Sequence, residues 1–281
     1  MRVTDKIHLL RIDFDIQLPT GGKLPRFVNV VIVFGNSITL IDTGVKGSEF
    51  AIYDYIEKQG RKPSEIDRII LSHAHPDHIG GAAAIKQKAG CMVMAHSLEK
   101  EWIEDIDLQN IERPVPGFFE LVNKPVGIDK EISFDTVLKL QDDLNLRILK
   151  ATGHSKGQLN FLFVEDRVLF TADAIPLYND IPNYDDYREL TQTLNAIEKN
   201  IDFDYGLSSW TNGHLNRNET MRLVQEGKNY LARIDAAVKN CYGEEEMHPL
   251  DNCRSALTHL GLPLMLANPI VDKAFKSHLK T

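Results

Sequence analysis

Residues 71–81 read Leu71-Ser72-His73-Ala74-His75-Pro76-Asp77-His78-Ile79-Gly80-Gly81. Within six of these residues the chain places three imidazoles and one carboxylate, in the pattern His-x-His-x-Asp-His. Neutral imidazole nitrogens and carboxylate oxygens are ligands for divalent transition metals. Imidazoles brought this close together would repel one another once protonated, and a bound cation is the natural compensation. The pattern therefore indicates a metal site rather than a solvated, histidine-rich turn.

Four further motifs accompany this segment along the chain. They are Ile41-Asp42-Thr43-Gly44, Gly153-His154-Ser155, Phe170-Thr171-Ala172-Asp173 and Asn212-Gly213-His214. With residues 73–78, their types and order resemble those of the metallo-β-lactamase-fold hydrolases, over roughly residues 7–216. The resemblance implies an α/β fold, the four-layer αββα sandwich, and is to the glyoxalase-II-like and lactonase-like branch.

The same resemblance implies the ligands of two divalent metal ions. It assigns His73, His75 and His154 to the first ion, Asp77, His78 and His214 to the second, and Asp173 to both as a bridge. Zinc is the expected metal, and iron or manganese would also accept a His/Asp site. A hydroxide bridging the ions would attack the substrate carbonyl. Asp77 would orient that hydroxide and is the expected catalytic residue.

Three other side chains are candidates for supporting roles. Asp42 is predicted to orient an imidazole N–H, as carboxylates near metal sites do, although a turn residue in Asp-Thr-Gly is an equal alternative. Tyr178 is predicted to donate a hydrogen bond to the developing oxyanion, with plain packing as the alternative. Lys156 either attracts an anionic substrate group or is simply solvated. Five histidines match no motif and are expected to be structural or surface residues: His8, His96, His248, His259 and His278.

Composition narrows the class of protein. The chain has 281 residues, 43% hydrophobic content and a formal net charge of −8. This acidic balance, without a run of Lys or Arg, gives no electrostatic support for a nucleic-acid partner. The three cysteines form no Cys-x-x-Cys pair and are odd in number, which favours a reducing, cytoplasmic location. Neither a secretory signal nor a membrane-spanning stretch is expected.

The apolar pattern predicts two halves, each made of strands followed by a helix, with every candidate ligand in a loop after a strand. A loop over residues 110–130, rich in Pro and Gly, separates the halves. Residues 217–281 change character and are predicted to be helical. We therefore expect a core domain of residues 1–216 and a helical extension of residues 217–281. This extension is expected to cover the substrate mouth or to form a homodimer.

The leading functional expectation is a metal-dependent hydrolase of a small ester, thioester or lactone. One alternative is a mononuclear-iron oxidoreductase of the same fold, similar to sulfur dioxygenases, which shares His73, His154 and Asp173. A β-lactamase-type amide hydrolase is a second alternative, disfavoured because the antibiotic-hydrolysing branches usually lack an Asp at the position of Asp173. A non-catalytic binding protein is disfavoured because a dead site has no physical reason to keep seven ligands.

Overall fold

A computed structural model of the chain describes residues 1–17, 21–141, 143–242 and 248–280, without the side chain of Asn200. The strands are β1 Ile7–Gln17, β2 Lys23–Phe34, β3 Ile38–Ile41, β4 Ile66–Ile70, β5 Met92–His96, β6 Lys130–Ile132, β7 Val137–Gln141, β8 Leu144–Lys150, β9 Leu159–Phe163, β10 Val168–Phe170, β11 Tyr205–Leu207 and β12 Leu215–Asn216. The helices are α1 Ser48–Lys58, α2 Pro76–Ile79, α3 Ala82–Ala89, α4 Ser97–Glu104, α5 Ile106–Glu112, α6 Phe118–Leu121, α7 Tyr187–Asn200, α8 Arg217–Cys241, α9 Asp251–Leu260 and α10 Pro269–Ser277.

The strands of the described residues form two six-stranded sheets. The first sheet runs β1-β2-β3-β4-β5-β6, antiparallel as far as β3 and parallel from β3 to β6. The second runs β12-β11-β10-β9-β8-β7, and only β10 and β11 are parallel. Parallel neighbours point their carboxyl ends to one edge of a sheet. The loop after β3, which carries Asp42, and the loop after β4, which carries residues 73–78, therefore lie at one edge of the first sheet.

Alternating side chains of β2 show how the layers pack. Val31 and Val33 lie in the core between the two sheets, together with Phe161 of β9. Val30 and Ile32 face the opposite way, into a core shared with the helices of the first half. Both faces of the sheet are buried, as the nearly continuous apolar run in β2 predicts. Helix, sheet, sheet and helix thus stack in four layers, which confirms the αββα sandwich.

The C-terminal helices complete the outer layer over the second sheet. Val224 of α8 and Phe275 of α10 share one core cluster with Leu194 of α7 and Leu162 of β9. Helix α8 begins with a capping box in which Asn216 accepts a hydrogen bond from the amide of Glu219 at 3.0 Å. The predicted boundary after residue 216 thus divides elements that share one core. Residues 243–247 and 281 of the predicted extension lie outside the described residues.

Local boundaries differ from the sequence predictions at two places. The sequence predicts one helix over residues 98–107, but the helix breaks at Asp105, whose carboxylate caps α5 by accepting from the amide of Leu108 at 2.9 Å. The expected loop over residues 110–130 contains the short helix α6, whose Phe118 is buried against the first sheet. In the part of the chain that is described, no helix combines the length and the apolar character needed to cross a membrane.

Candidate metal centre

The loop after β4 carries the central motif. Leu71 continues the strand's buried run, and the short helix α2 begins at Pro76, so that the motif spans a strand-to-helix turn. Gly80 closes the segment where a side chain would not fit, since a Cβ there would lie 2.3 Å from the carbonyl oxygen of Leu121 and 2.3 Å from the amide of Lys46. This close backbone approach accounts for the Gly-Gly that follows the histidines.

Two groups of ligand atoms converge at the edge of the sandwich. His73, His75 and His154 form one group, and His73, His78 and Asp173 form the other. Within each group the ligand atoms all lie within 4.8 Å of one another, and every member is buried. His73 belongs to both groups, so the two candidate sites adjoin.

Two polar atoms at this point have no hydrogen-bond partner among the residues that the structure describes. They are Nε2 of His73 and Nε2 of His75, while Nε2 of His78 and Oδ1 of Asp173 contact each other at 3.2 Å. A buried polar atom without a partner loses its hydration without compensation, so such atoms are rare and need an explanation. His75 turns its Nδ1 toward Nε2 of His154, 2.9 Å away, and the converging imidazoles and carboxylate are a donor set that fits a divalent cation.

Asp42 fixes the orientation of two of these imidazoles. Its carboxylate accepts hydrogen bonds from Nδ1 of His78 at 2.8 Å, the amide of Ser72 at 2.7 Å and Oγ of Ser72 at 2.7 Å. Oγ of Ser72 lies 3.0 Å from Nδ1 of His73. Because Ser72 donates its proton to Asp42, its oxygen accepts from His73. The protons on both Nδ1 atoms leave Nε2 of His73 and His78 free to bind a cation. Asp42 has the contacts predicted for it, in a left-handed backbone conformation (φ 62°).

Burial sets the protonation of the ligands in the metal-free protein. It lowers the pKa of His73 and His75 well below the ordinary value and that of His154 to about 4. Burial acts the same way on His78, but the neighbouring carboxylates, Asp173 first among them, raise its pKa well above the ordinary value. Burial likewise opposes the ionisation of Asp173, yet the charge of His78 holds its pKa well below the ordinary value. Neutral imidazoles and an ionised carboxylate are the forms that bind metals, so a bound ion would have to replace the proton that the raised pKa keeps on Nε2 of His78.

Glu99, on α4, is a site residue that the sequence analysis missed. Its buried carboxylate accepts from the amide of Ala74 at 2.9 Å, from Oγ of Ser155 at 2.7 Å and from the amide of Gly157 at 2.5 Å. Ala74 lies between two ligands of the first loop, and Ser155 follows His154 in the second. Glu99 therefore joins the two ligand loops. Nothing in its spacing within an ordinary helix indicated this role.

The position of His214 corrects the predicted ligand set. His214 is exposed, belongs to neither converging group, and packs its ring 5.4 Å from that of Tyr205 at the start of β11. The chain reverses between β11 and β12, pairing Leu215 with Gly206, and the side chain of His214 packs on Tyr205 rather than joining either ligand group. The segment directly after β11, at the ligand edge, is instead residues 208–210. A Gly-His dipeptide in the expected order was therefore misleading.

Two further predicted residues lie away from the cluster. Tyr178 is 51% exposed, is bonded to Arg233, and does not line the cavity beside the ligands. Its position gives no support to the predicted oxyanion role, because the tyrosine faces solvent. Lys156 is exposed, with its ammonium 5.9 Å from the centre of the Trp102 ring. Of the unassigned histidines, His96 caps α4 by accepting from the amide of Leu98 at 3.2 Å, which is a structural role as expected.

An open cavity of about 600 Å³ adjoins the ligands. His75, Asp77, His154 and Asp173 line it on one side. Most of the remaining wall is apolar and comes from the β1–β2 hairpin, the segment after α5 and the C-terminal region. The residues from the C-terminal region are Met265, Leu266, Ala267, Asn268, Ile270 and Val271. The tail thus forms part of the wall of this cavity.

Comparison with known proteins agrees with this geometry. Residues 24–212 match the family model of the metallo-beta-lactamase superfamily. A hydroxyacylglutathione hydrolase of Rhodopseudomonas palustris is 32% identical over 120 residues, which cover 43% of this chain and only 37% of that protein. The Bacillus subtilis protein named Probable metallo-hydrolase YybB is 27% identical over 170 residues, covering 59% of this chain and 68% of its own.

Solved structures extend the likeness in fold through the tail. A metallo-beta-lactamase family protein of Thermus thermophilus superposes with a TM-score of 0.71 at 17% identity, covering 97% of this chain and 93% of its own. The family match spans most of the chain, includes the converging histidines and Asp173, and accompanies the four-layer sandwich. This chain belongs to the metallo-beta-lactamase superfamily.

Proposed function

We propose that this metallo-hydrolase acts on a small ester, thioester or lactone. The observation that supports the proposal is the convergence of the buried side chains of His73, His78 and Asp173 beside a cavity that admits a small molecule. When bound, divalent ions supply Lewis-acid polarisation of a carbonyl and activation of water near neutral pH.

The two ligand groups are expected to differ in their affinity for a metal ion. His73, His75 and His154 offer three neutral imidazoles, a donor set typical of zinc. His78 and Asp173 offer the second group, with Oδ2 of Asp77 lying 3.7 Å from Nε2 of His78. Because His214 lies outside the second group and does not complete it, we expect this group to hold its ion more weakly than the first.

Asp77 is placed to act on the attacking water. It lines the cavity and keeps 17% of its side chain exposed, whereas His78 beside it is fully buried. Burial raises the pKa of its carboxyl group. A carboxylate here would accept a proton from water and hold the oxygen's lone pair toward a carbonyl in the cavity.

Relatives support the reaction class. The hydroxyacylglutathione hydrolase from Rhodopseudomonas palustris is named for hydrolysis of an acyl compound. The shared segment covers 37% of that protein, so its substrate is carried to this chain only as part of the proposal. The apolar cavity fits a small acyl group, the substrate partner that we propose.

The displacement of His214 also favours one alternative. A centre that holds only one metal ion would resemble the mononuclear-iron oxidoreductases. The resemblance implies that His73, His154 and Asp173 would be its ligands. His154 Nε2 lies 3.4 Å from Asp173 Oδ2, so these two side chains already adjoin. One equivalent of iron per chain, with oxygen consumption and no hydrolysis, would identify that alternative.

The test is hydrolysis by protein stripped with a chelator and reloaded separately with zinc, iron or manganese. The substrates are a panel of esters, thioesters, lactones and one β-lactam. We expect acyl ester, thioester or lactone hydrolysis that returns with the metal. Asp77→Asn should lower kcat by about 10²–10⁴-fold while metal is retained, and the exposed Asp107→Asn should not. Hydrolysis that survives complete removal of metal, or an Asp77→Asn variant with unchanged kcat, would contradict the proposal.

A further inference from the structure

We infer that Arg113 anchors a carboxylate of the substrate, and that the substrate is an amphiphile whose apolar part fills the cavity. The inference rests on the proposed function and names its substrate class. Arg113 directly follows α5, only 5% of it is exposed, and it lines the cavity together with His75 and Asp77. No motif of the sequence included this residue.

The Arg113 guanidinium donates fewer hydrogen bonds than its N–H groups allow. A guanidinium has five N–H groups. Among the residues that the structure describes, its side chain makes one hydrogen bond, from Nη2 to Oδ1 of Asn183, and no ion pair. The carboxylates of Asp185 and Asp77 act on the guanidinium without pairing with it directly, and Arg is suited to bind a carboxylate with two parallel hydrogen bonds. The free N–H groups beside an open cavity therefore call for an anion that enters from solvent.

Away from the metal ligands, several other polar groups of the cavity wall already have partners. Arg26 donates two hydrogen bonds to Asp180, at 3.1 and 2.9 Å. Tyr230 donates to the carbonyl oxygen of Asp180 at 2.6 Å, and the hydroxyl of Tyr184 lies 2.8 Å from Nε2 of His278. Asn268 caps α10. Arg113 is thus the cation of this wall whose donors remain open to a ligand.

Apolar surface accounts for the rest of the proposed substrate. Phe14 and Leu24 of the β1–β2 hairpin, Val115 and Leu121 near α6, and Met265 and Ile270 of the C-terminal region line the cavity. A volume of about 600 Å³ lies in the range of small-molecule sites. Such walls favour an alkyl or aryl group by burying it, and give no hydrogen bonds to a polar chain.

The test measures binding of octanoate and octanamide, which match in size but differ in charge, to the metal-loaded protein by calorimetry. Wild type should bind octanoate more tightly. Arg113→Gln should weaken octanoate by about 10–100-fold and change octanamide by less than about 2-fold, because only the charged hydrogen bonds are lost. Arg113→Lys should retain part of the preference, since it keeps the charge but loses the planar fork. If Arg113→Gln does not fold, the Arg113→Lys variant tests the inference in its place.

Arg147→Gln is the matched control. Arg147 is exposed on β8 and is not part of the cavity, so this variant changes the net charge equally and should leave both affinities unchanged. Metal content is measured for every variant. Equal weakening of both ligands by Arg113→Gln, or an octanoate preference that persists in that variant, would overturn the inference. The second result would mean that the carboxylate binds a metal ion directly.

A kinetic arm separates this inference from the proposed function. Its substrates are a p-nitrophenyl ester with a free terminal carboxylate and the same ester with that carboxylate capped as an N-methylamide. Arg113→Gln should raise KM for the ester with the free carboxylate and leave kcat unchanged for both esters. A fall in kcat for both esters would assign Arg113 to the developing oxyanion and overturn the anchoring role. If wild type hydrolyses neither these esters nor any ester, thioester or lactone of the panel, the proposed function fails, while the binding comparison still tests Arg113.

Discussion

The carboxylate of Asp42 accepts a hydrogen bond of 2.8 Å from Nδ1 of His78, and both side chains are fully buried. The residues lie 36 positions apart: Asp42 directly follows β3, and His78 lies in α2, which follows the neighbouring parallel strand β4. This contact places the proton of His78 on Nδ1 and leaves Nε2 for a cation. The orientation of the ligand is thus built into the protein before any metal binds.

Asp42→Asn should weaken zinc binding by about 10–100-fold. The asparagine amide cannot accept all three hydrogen bonds, and an N–H facing His78 would favour the tautomer that protonates Nε2. Competition with a chromophoric chelator measures the affinity, and Asp107→Asn is the exposed control. An unchanged zinc affinity would mean that Asp42 does not orient His78.

Glu99→Gln should lower the free energy of unfolding of the metal-free protein by about 1–3 kcal/mol. Glutamine has one acceptor oxygen, so at least one of the donors from Ala74, Ser155 or Gly157 is left without its partner. Urea titration measures the loss, with Glu101→Gln on the same helix as the exposed control. Equal stability of the two variants would show that Glu99 does not hold the ligand loops together.

Acid should destabilise the metal-free protein between pH 6.5 and about 4. Burial lowers the pKa of His154 to about 4, and those of His73 and His75 fall well below 6.5. In this window the unfolded chain binds more protons than the folded one, so stability falls as the pH falls. Each such histidine contributes up to about 1.4 kcal/mol per pH unit.

The effect of His78 on stability has the opposite sign, but it changes with pH only above about 6.5. Its raised pKa gives stability that is present below 6.5 and is lost as the pH rises through the folded value. It therefore does not cancel the acid effect. Urea titrations of metal-free protein at several pH values measure the slope, and His154→Asn should reduce it. Stability that stays flat or rises from pH 6.5 to 4.5 would refute this account.

Much of the site could be predicted because its ligands follow from local sequence and sheet geometry. His73, His75 and His78 lie within one turn after a buried strand, so their proximity needs no knowledge of distant residues. His154 and Asp173 follow strands of the second sheet, whose ends reach the same edge of the sandwich. The apolar pattern predicted the strands, helices and layering, whereas the αββα sandwich was implied by the family resemblance.

The remainder depends on contacts that no local pattern encodes. Glu99 joins Ala74 and Gly157, which lie 25 and 58 residues away. Arg113 lies in the segment predicted as a loop and looks there like any surface arginine, because its burial is produced by elements distant in sequence. The prediction for His214 rested on a matching dipeptide, which does not determine where the side chain points, and the imidazole is exposed beside Tyr205.

Metal content per chain, measured by elemental analysis of protein from metal-replete growth, tests the central claim most directly. Wild type, His73→Ala and His214→Ala are compared. His73 belongs to both ligand groups, whereas His214 belongs to neither. We predict that His214→Ala retains the wild-type metal content and that His73→Ala loses most of it. Full metal content in His73→Ala, or loss of metal in His214→Ala, would contradict the site described here.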